Sequence, residues 1–233
     1  MTGVEADAGD TPADKARLLR EGPLLTIEQA AQPGNPDARI ALESISHGRL
    51  LGSCAAAVHG LTTGDLARMR RTIWEFSRVP AAWIRFQTTV SETLHYGGRD
   101  GLLYWNDGAG PITELPGARM DGRHAWGHRG VVVSQMRQLP CTLYTGEAFD
   151  NNTAVILPHD PADLPAIWAY CSSPEYARDV RRIDRKMSVT SATLVKVPFD
   201  LERWQRVAAE RYPDGLPEPH SNDPTQWLFE GHP

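Results

Sequence analysis

The sequence has no long hydrophobic run. In 233 residues, the longest apolar stretches are Val131–Val133 and Ala154–Leu157, far shorter than the roughly 20 residues that a transmembrane helix needs. The first 22 residues are acidic and contain no apolar segment of the kind found in secretory signals. These absences predict a protein that neither crosses a membrane nor is exported.

Cysteine is scarce as well. Cys54, Cys141 and Cys171 lie far apart in the sequence and are odd in number. This pattern is typical of a reducing compartment and not of a small disulfide-stabilised domain. We therefore expect a cytoplasmic protein with free thiols.

Motifs for nucleotide, metal or nucleophile chemistry are missing too. The sequence contains neither a phosphate-binding Gly-x-x-x-x-Gly-Lys-[Ser/Thr] loop nor a Gly-x-Ser-x-Gly elbow. His124 and His128 are four residues apart, but nearby glycines disfavour a helix and no third ligand is close. Cys141 and His159 could meet in space as a nucleophile and its base, but the same is true of most Cys and His pairs. We predict no metal, no cofactor and no catalytic residue in this chain.

The composition is that of a folded domain, with 41% hydrophobic and 23% charged residues. Apolar and β-branched runs predict strands, and three-and-four spacing predicts helices. The predicted strands are Trp83–Leu94, Leu102–Trp105, Gly130–Met136, Thr142–Tyr144, Thr153–Leu157 and Leu194–Val197, with short strands or irregular connections at Arg39–Ile45 and Leu50–Val58. The predicted helices are Leu66–Phe76, Leu164–Cys171, Pro174–Lys186 (with Ser173 as N-cap) and Phe199–Glu210. The predicted fold class is α+β, with mixed sheets and several helices.

Three regions are expected along the chain. Residues 1–22, rich in Asp, Glu, Ala and Gly, predict a disordered leader. Residues 23–200 form the main domain, and residues 201–233 form a C-terminal helix followed by a proline-rich extended arm.

Positive charge is concentrated in one segment. The formal net charge is −5, so the chain lacks the overall basic surplus of many nucleic-acid-binding proteins. Five cations nevertheless fall within nine residues, against the two acids Asp179 and Asp184; they are Arg178, Arg181, Arg182, Arg185 and Lys186. On one helical face they could contact phosphates. Composition alone favours the other interpretation, a solvated face paired with the two acids.

Several segments, taken in order, resemble a known family. They are Gly60-Leu-Thr-Thr-Gly-Asp65, Tyr96-Gly-Gly-Arg99 followed by Leu103-Tyr-Trp-Asn106, Ala125–Ser134, Phe149–Ile156, Ser172–Tyr176, Val189–Asp200 and the tail Asp223–Pro233. This order resembles the target-recognition region of N6-adenine DNA methyltransferases of the type IIG restriction–modification kind, including members of phage-defence systems. The resemblance covers about Asn35 to Pro233 and lacks the methyl-donor and catalytic motifs.

The resemblance implies a target-recognition-domain-like fold and sequence-specific binding of double-stranded DNA. A methyltransferase catalytic domain, separate or missing, would use S-adenosylmethionine. Glycines would allow close approach to the duplex, polar side chains would contact base edges, and the basic helix would hold phosphates. The candidate residues in this order are Gly97, Gly98 and Gly130; Arg99, Arg129, Ser134 and Gln135; Arg178, Arg181, Arg182, Arg185, Lys186 and Thr190.

Each of these residues could instead have only a structural role. Gly97-Gly98 is equally explained as a turn, and Ser134-Gln135 as the polar face of a strand; most tryptophans are expected in the core. For the whole chain, the alternative is a protein-interaction module, a decoy or regulator that docks a methyltransferase or nuclease without binding DNA. Whether the chain takes part in catalysis is left open by its sequence.

Overall fold

The N-terminal helix begins at a complete cap. In the computed structural model, which describes residues 1–6, 9–35, 40 and 48–219, α1 spans Pro12–Glu21. The Thr11 hydroxyl accepts from the Asp14 amide, and the Asp14 carboxylate accepts from the Thr11 amide. The structure thus differs from the predicted disordered leader over residues 12–21, because this capping box and the proline at the first helical position favour a helix there.

The helix belongs to a first unit, Met1–Gly48, which is separate from a second unit, Arg49–Pro233. In the first unit, β1 (Thr2–Gly3) pairs antiparallel with β2 (Leu25–Thr26), and a 3-10 turn follows at Gln29–Gly34. The boundary after Gly48 differs from the predicted boundary at residue 22. The predicted connection Arg39–Ile45 lies outside the described residues, apart from Ile40.

The second unit combines two sheets with helices. Its strands are β3 (Ala55–His59), β4 (Arg70–Thr72), β5 (Trp83–Gln87), β6 (Gly101–Tyr104), β7 (Gly130–Ser134), β8 (Cys141–Tyr144), β9 (Ala148–Phe149) and β10 (Thr153–Pro158). Its α-helices are α2 (Leu66–Met69), α3 (Leu164–Cys171), α4 (Pro174–Ile183) and α5 (Leu201–Arg211). The predicted α+β class, with several helices and with antiparallel and mixed sheets, is confirmed.

The first sheet is antiparallel, in the order β3-β10-β7-β8. Val58, Val155 and Val132 are register partners across three strands, so they share one face and form an apolar cluster there with Phe149. The opposite face meets α3, where the Cys141 thiol donates to the carbonyl at the end of that helix. Because both faces are covered, all five residues of β7 are buried.

The second sheet is mixed, in the order β4-β6-β5-β9, because β5 and β9 run parallel. Phe86 and Leu103 lie in a second apolar cluster, together with Met69 and Trp105. Trp126 packs against this cluster and against that of the first sheet. The two sheets therefore share one continuous core.

Three predicted elements were wrong. The predicted helix Leu66–Phe76 is divided into α2, β4 and a 3-10 turn at Ile73–Glu75, because residues 70–72 pair with β6. The predicted strand Leu194–Val197 does not form: Leu194 and Val195 end a 3-10 turn, Ser191–Val195, and the next two residues are irregular. The basic helix ends at Ile183 and not at Lys186. By contrast, α3 has the predicted bounds and α5 lies within two residues of them.

In the part of the chain that the structure describes, no helix combines the length and the apolar character needed to cross a bilayer. The end of the predicted C-terminal arm, residues 220–233, lies outside the described residues.

A substitution at Phe149 tests how far the stability of the protein depends on the shared core. Its side chain is fully buried and its ring lies edge-on to Tyr144, with centroids 5.5 Å apart. We expect Phe149→Ala to lower the free energy of unfolding by about 3–5 kcal/mol, because the residual cavity adds to the lost burial. Urea denaturation measures this, and Phe149→Leu should be less destabilising. A loss below about 1 kcal/mol would show that the core does not depend on this ring.

Candidate nucleic-acid interface

Helix α4 presents one apolar face to the protein. Tyr176, Val180 and Ile183 recur at four and three residues and are buried. Pro174 occupies the first helical position, as predicted, and the predicted N-cap Ser173 donates its hydroxyl to the Tyr170 carbonyl, 2.7 Å away. With this face inward, the other side of the helix is left to the arginines.

The two acids of the segment are directed inward. Asp179 accepts from the Tyr170 hydroxyl at 3.0 Å, and Asp184 is 3% exposed and accepts from the Lys186 amide. Asp179 also forms a loose ion pair with Arg178, 3.5 Å away. The exposed cations of the segment are Arg178, Arg182, Arg185 and Lys186. The solvated-face alternative pairs the cations of this segment with Asp179 and Asp184, and the Arg178–Asp179 ion pair is one such contact.

Arg181 does not share this exposure. Its guanidinium donates to the carbonyls of Lys186 and Arg137, and burial lowers its pKa against the opposing effect of Asp184. These hydrogen bonds give Arg181 a structural role: they join residues 136–139 to the end of α4. An isolated bridge between Met136 and Ser188 has the same effect.

This fastening adds a cation that the sequence analysis missed. Arg137 is exposed, has a φ of +57°, and lies on the loop held by Arg181. We call the exposed cations Arg137, Arg178, Arg182, Arg185 and Lys186 the α4 basic surface. A groove of about 420 Å³ adjoins it, between Gln138–Leu139 and the start of α4. Residues 137 and 181 are joined by a contact between distant parts of the chain. Local sequence patterns therefore could not predict that Arg137 lies beside α4.

The two glycines of the Tyr96–Arg99 segment build a turn. The Gly97 amide donates to Thr142 Oγ1 at 3.0 Å, and the Gly98 carbonyl accepts from the Thr88 amide at 2.7 Å. Gly98 has a φ of +67°, and a Cβ there would lie 2.5 Å from the Thr88 carbonyl oxygen. The glycines are explained by this turn and not by close approach to a duplex.

Arg99 is engaged within the protein. Its Nη2 lies 2.7 Å from Glu147 Oε1, and its Nη1 donates to the Pro219 carbonyl at 3.1 Å. Arg129, by contrast, is exposed, and its guanidinium opposes the rise that burial causes in the pKa of Tyr96. Of these two predicted base-contacting arginines, Arg129 is the accessible one.

Three further candidates are buried in the first sheet. Gly130 pairs with Tyr144, and a Cβ on it would lie 2.5 Å from the Ile156 carbonyl oxygen. Ser134 exchanges hydrogen bonds with the backbone of Val90, and Gln135 donates to the Val189 carbonyl at 2.8 Å. Burial of all three residues disfavours direct contact of their side chains with DNA.

Thr190 lies at the start of the 3-10 turn Ser191–Val195 and is exposed. Its hydroxyl lies 3.0 Å from the Thr193 hydroxyl. This candidate remains accessible to a ligand.

Groups for other chemistry are not assembled in the described ranges. Within residues 1–6, 9–35, 40 and 48–219, no three His, Cys, Asp or Glu side chains are grouped so as to hold a metal ion. Burial raises the pKa of Cys141 to about 12, and its thiol donates to the Cys171 carbonyl at 3.1 Å. Such a thiol is a poor nucleophile.

Comparison with protein-family models and with curated proteins finds no match to this chain.

The buried thiols allow a direct test of this packing. Cys54, Cys141 and Cys171 are all buried, so we expect none to react with Ellman's reagent in the folded chain at mildly alkaline pH. All three should react in denaturant, which serves as the control. Rapid labelling of Cys141 in the native protein would contradict its assigned position.

The orientation of α4 can be tested through its contact with α5. Both Glu175 oxygens lie 2.8 Å from Arg203 nitrogens, and these hydrogen bonds lower the pKa of Glu175. A carboxyl group with a lowered folded-state pKa stabilises the fold above its unfolded pKa, and this contribution disappears as the pH falls through the folded value.

We therefore expect Glu175→Gln to reduce the free energy of unfolding by about 0.2–1 kcal/mol at neutral pH, since the pair is largely solvated. The difference should vanish well below the ordinary glutamate pKa of about 4.3. Urea titrations at neutral and strongly acidic pH measure it, with Glu202→Gln as the control. An equal effect at both pH values would contradict the assignment.

Proposed function

We propose that this chain is the DNA target-recognition part of an N6-adenine DNA methyltransferase system of the type IIG restriction–modification or phage-defence kind. It would act in the cytoplasm with a catalytic domain that binds S-adenosylmethionine and transfers the methyl group. The observation that carries the proposal is the α4 basic surface, where five cations are exposed and the neighbouring acids face inward.

The physical basis is the phosphate backbone. Each phosphate neutralised by Arg or Lys releases condensed counterions, which supplies much of the affinity for a duplex. Arg178 and Arg182 lie one turn apart on the packed helix α4 and are therefore held in register with each other, so they would position the protein on DNA as well as attract it. The order of family-like segments between residues 60 and 200 supports this assignment.

Base reading is assigned to the loop beside this surface. With Ser134 and Gln135 buried, the next exposed polar side chains on the loop that Arg181 joins to α4 are Arg137 and Gln138. Arginine pairs with guanine and glutamine with adenine in the major groove. Arg137 and Leu139 both have positive φ values, a conformation that non-glycine residues adopt rarely and often at functional sites.

One observation favours the alternative, a protein-interaction module. Met187 is 78% exposed and Met136 is 39% exposed, both beside the α4 basic surface. Exposed methionines are common on surfaces that bind proteins. Binding to DNA alone, without another protein, distinguishes the two functions.

The test is binding of the purified chain to a randomised duplex library, followed by titration of the selected duplex at several salt concentrations. We expect an enriched sequence containing a fixed adenine. Arg182→Ala combined with Arg185→Ala should reduce the slope of log affinity against log salt by up to about 1.8, or roughly 0.9 for each lost phosphate contact.

The matched control is Arg17→Ala with Arg20→Ala, which removes the same charge from exposed positions of α1 and should leave the slope unchanged. Equal slopes for both double variants would remove α4 from the interface. Failure of the wild-type chain to retain any duplex would overturn the proposal in favour of the protein-interaction module.

A further inference from the structure

The second sheet carries aromatic and cationic side chains on the face opposite Phe86 and Leu103, around the buried Leu102. Ile84 and Phe86 of β5 pack into the core, which leaves Trp83 and Arg85 on the other face. The register places Arg71, Leu102 and Arg85 in one row across three strands and Trp83 opposite Tyr104 in the next. Sequence analysis missed this face because β4 was predicted as a helix.

The aromatic rings on this face contact one another. The Trp83 centroid lies 5.2 Å from that of Tyr104 and 5.2 Å from that of Phe76, and the Arg71 guanidinium lies 6.0 Å from the Trp83 ring. All three aromatic side chains are only partly buried. They form a continuous, half-exposed aromatic surface with a cation at its margin.

Trp74, in the turn just before Phe76, is far more exposed. Its relative exposure is 67%, whereas tryptophan is on average highly buried. Burial of this ring under a ligand would be favourable. The described contacts of the fold give Trp74 no structural task that would explain its position.

The charges around Trp74 favour an anionic ligand. Between residues 65 and 79, Arg68, Arg70, Arg71 and Arg78 face two acids, Asp65 and Glu75. Asp65 caps α2 by accepting from the Arg68 amide, and Glu75 accepts from the amide and hydroxyl of Thr72 and pairs with Arg71 at 3.6 Å. Arg70 pairs with Asp100 at 3.8 Å, so the excess of positive charge in this segment lies on the exposed Arg68 and Arg78. Arg78, two residues after Phe76, is exposed.

A second excess of positive charge lies at the other margin of this face. Arg85 and Arg99 share one carboxylate, Glu147, so the three groups carry a net charge of +1 (two cations minus one anion). Arg85 Nη1 is buried and has no acceptor among the described residues. Burial and the nearby Arg99 lower the pKa of Arg85, against the opposing effect of Glu147.

We propose that this aromatic–arginine face binds the unpaired nucleotides of a single DNA strand, with bases stacked on Trp74 and phosphates bound by arginines such as Arg78. Stacking requires a base whose face is free, and duplex bases hide their faces within the stack. Sequence-tolerant aromatic platforms with flanking cations are typical of single-strand binding. The site is independent of the duplex contacts assigned to α4.

The experiment is fluorescence anisotropy with a short labelled oligothymidylate and the full chain. Trp74→Ala should weaken binding by roughly 5- to 150-fold, the range for loss of one base–aromatic stack, and leave the salt slope unchanged. Trp74→Phe, which keeps a ring, should restore much of the affinity. Since Trp74 is exposed, neither variant should affect folding, which thermal unfolding checks.

Two comparisons separate stacking from charge. An abasic oligonucleotide of the same length should bind the wild-type chain weakly. Its affinity for Trp74→Ala should be the same as its affinity for the wild type. Arg78→Ala should reduce the salt slope for oligothymidylate by about 0.7. The Arg182→Ala/Arg185→Ala variant should bind oligothymidylate like the wild type.

The proposal is overturned if the wild-type chain does not bind oligothymidylate, if it binds the abasic strand equally well, or if Trp74→Ala has no effect. Any of these results would favour binding of a protein partner at this face instead of a DNA strand. None of them bears on the randomised-duplex experiment, so failure of this site and failure of the proposed function are distinguishable.

Discussion

Burial of β7 on both faces is the constraint on which the rest of the second unit depends. Val132 packs toward Val58 and Val155, while the alternate residues of the strand meet α3. A strand buried on both sides must satisfy every polar group internally. Ser134, at the end of β7, and Gln135, the next residue, are accordingly paired with backbone groups of Val90 and Val189. Accessible polar side chains therefore lie outside this strand.

The same constraint explains why charge separates on α4. The helix must bury Tyr176, Val180 and Ile183 against the protein, which fixes its rotation. That rotation turns Asp179 toward Tyr170 and leaves Arg178 and Arg182 outside. The Glu175–Arg203 pair then joins α4 to α5. Exposure of the cations is thus a consequence of packing, and sequence spacing alone does not decide which charges face outward.

Sequence patterns within a few residues were sufficient to predict the elements whose conformation depends on neighbouring residues. The bounds of α3 and the start of α4 follow from proline at a first turn and from apolar spacing. Residues 70–72 could not be predicted, because their extended conformation depends on pairing with β6, about 30 residues later. The role of Arg181 depends likewise on the carbonyl of Arg137, 44 residues away. Of the candidate site, the sequence indicated the basic segment, but it could not show that Arg181 is engaged or that Arg137 joins the surface.

The negative net charge of the chain is compatible with contact to an anionic polymer. The tail from Pro198 carries seven acids against three arginines, and the first 22 residues carry five acids against three cations. Screening limits the reach of these charges to about 8 Å at physiological ionic strength, so a phosphate near α4 interacts mainly with the cations of its immediate surroundings. The overall negative charge instead weakens long-range attraction to arbitrary DNA. Under the proposed function, binding would require the basic surface to be docked in register, which favours discrimination between sites over general affinity.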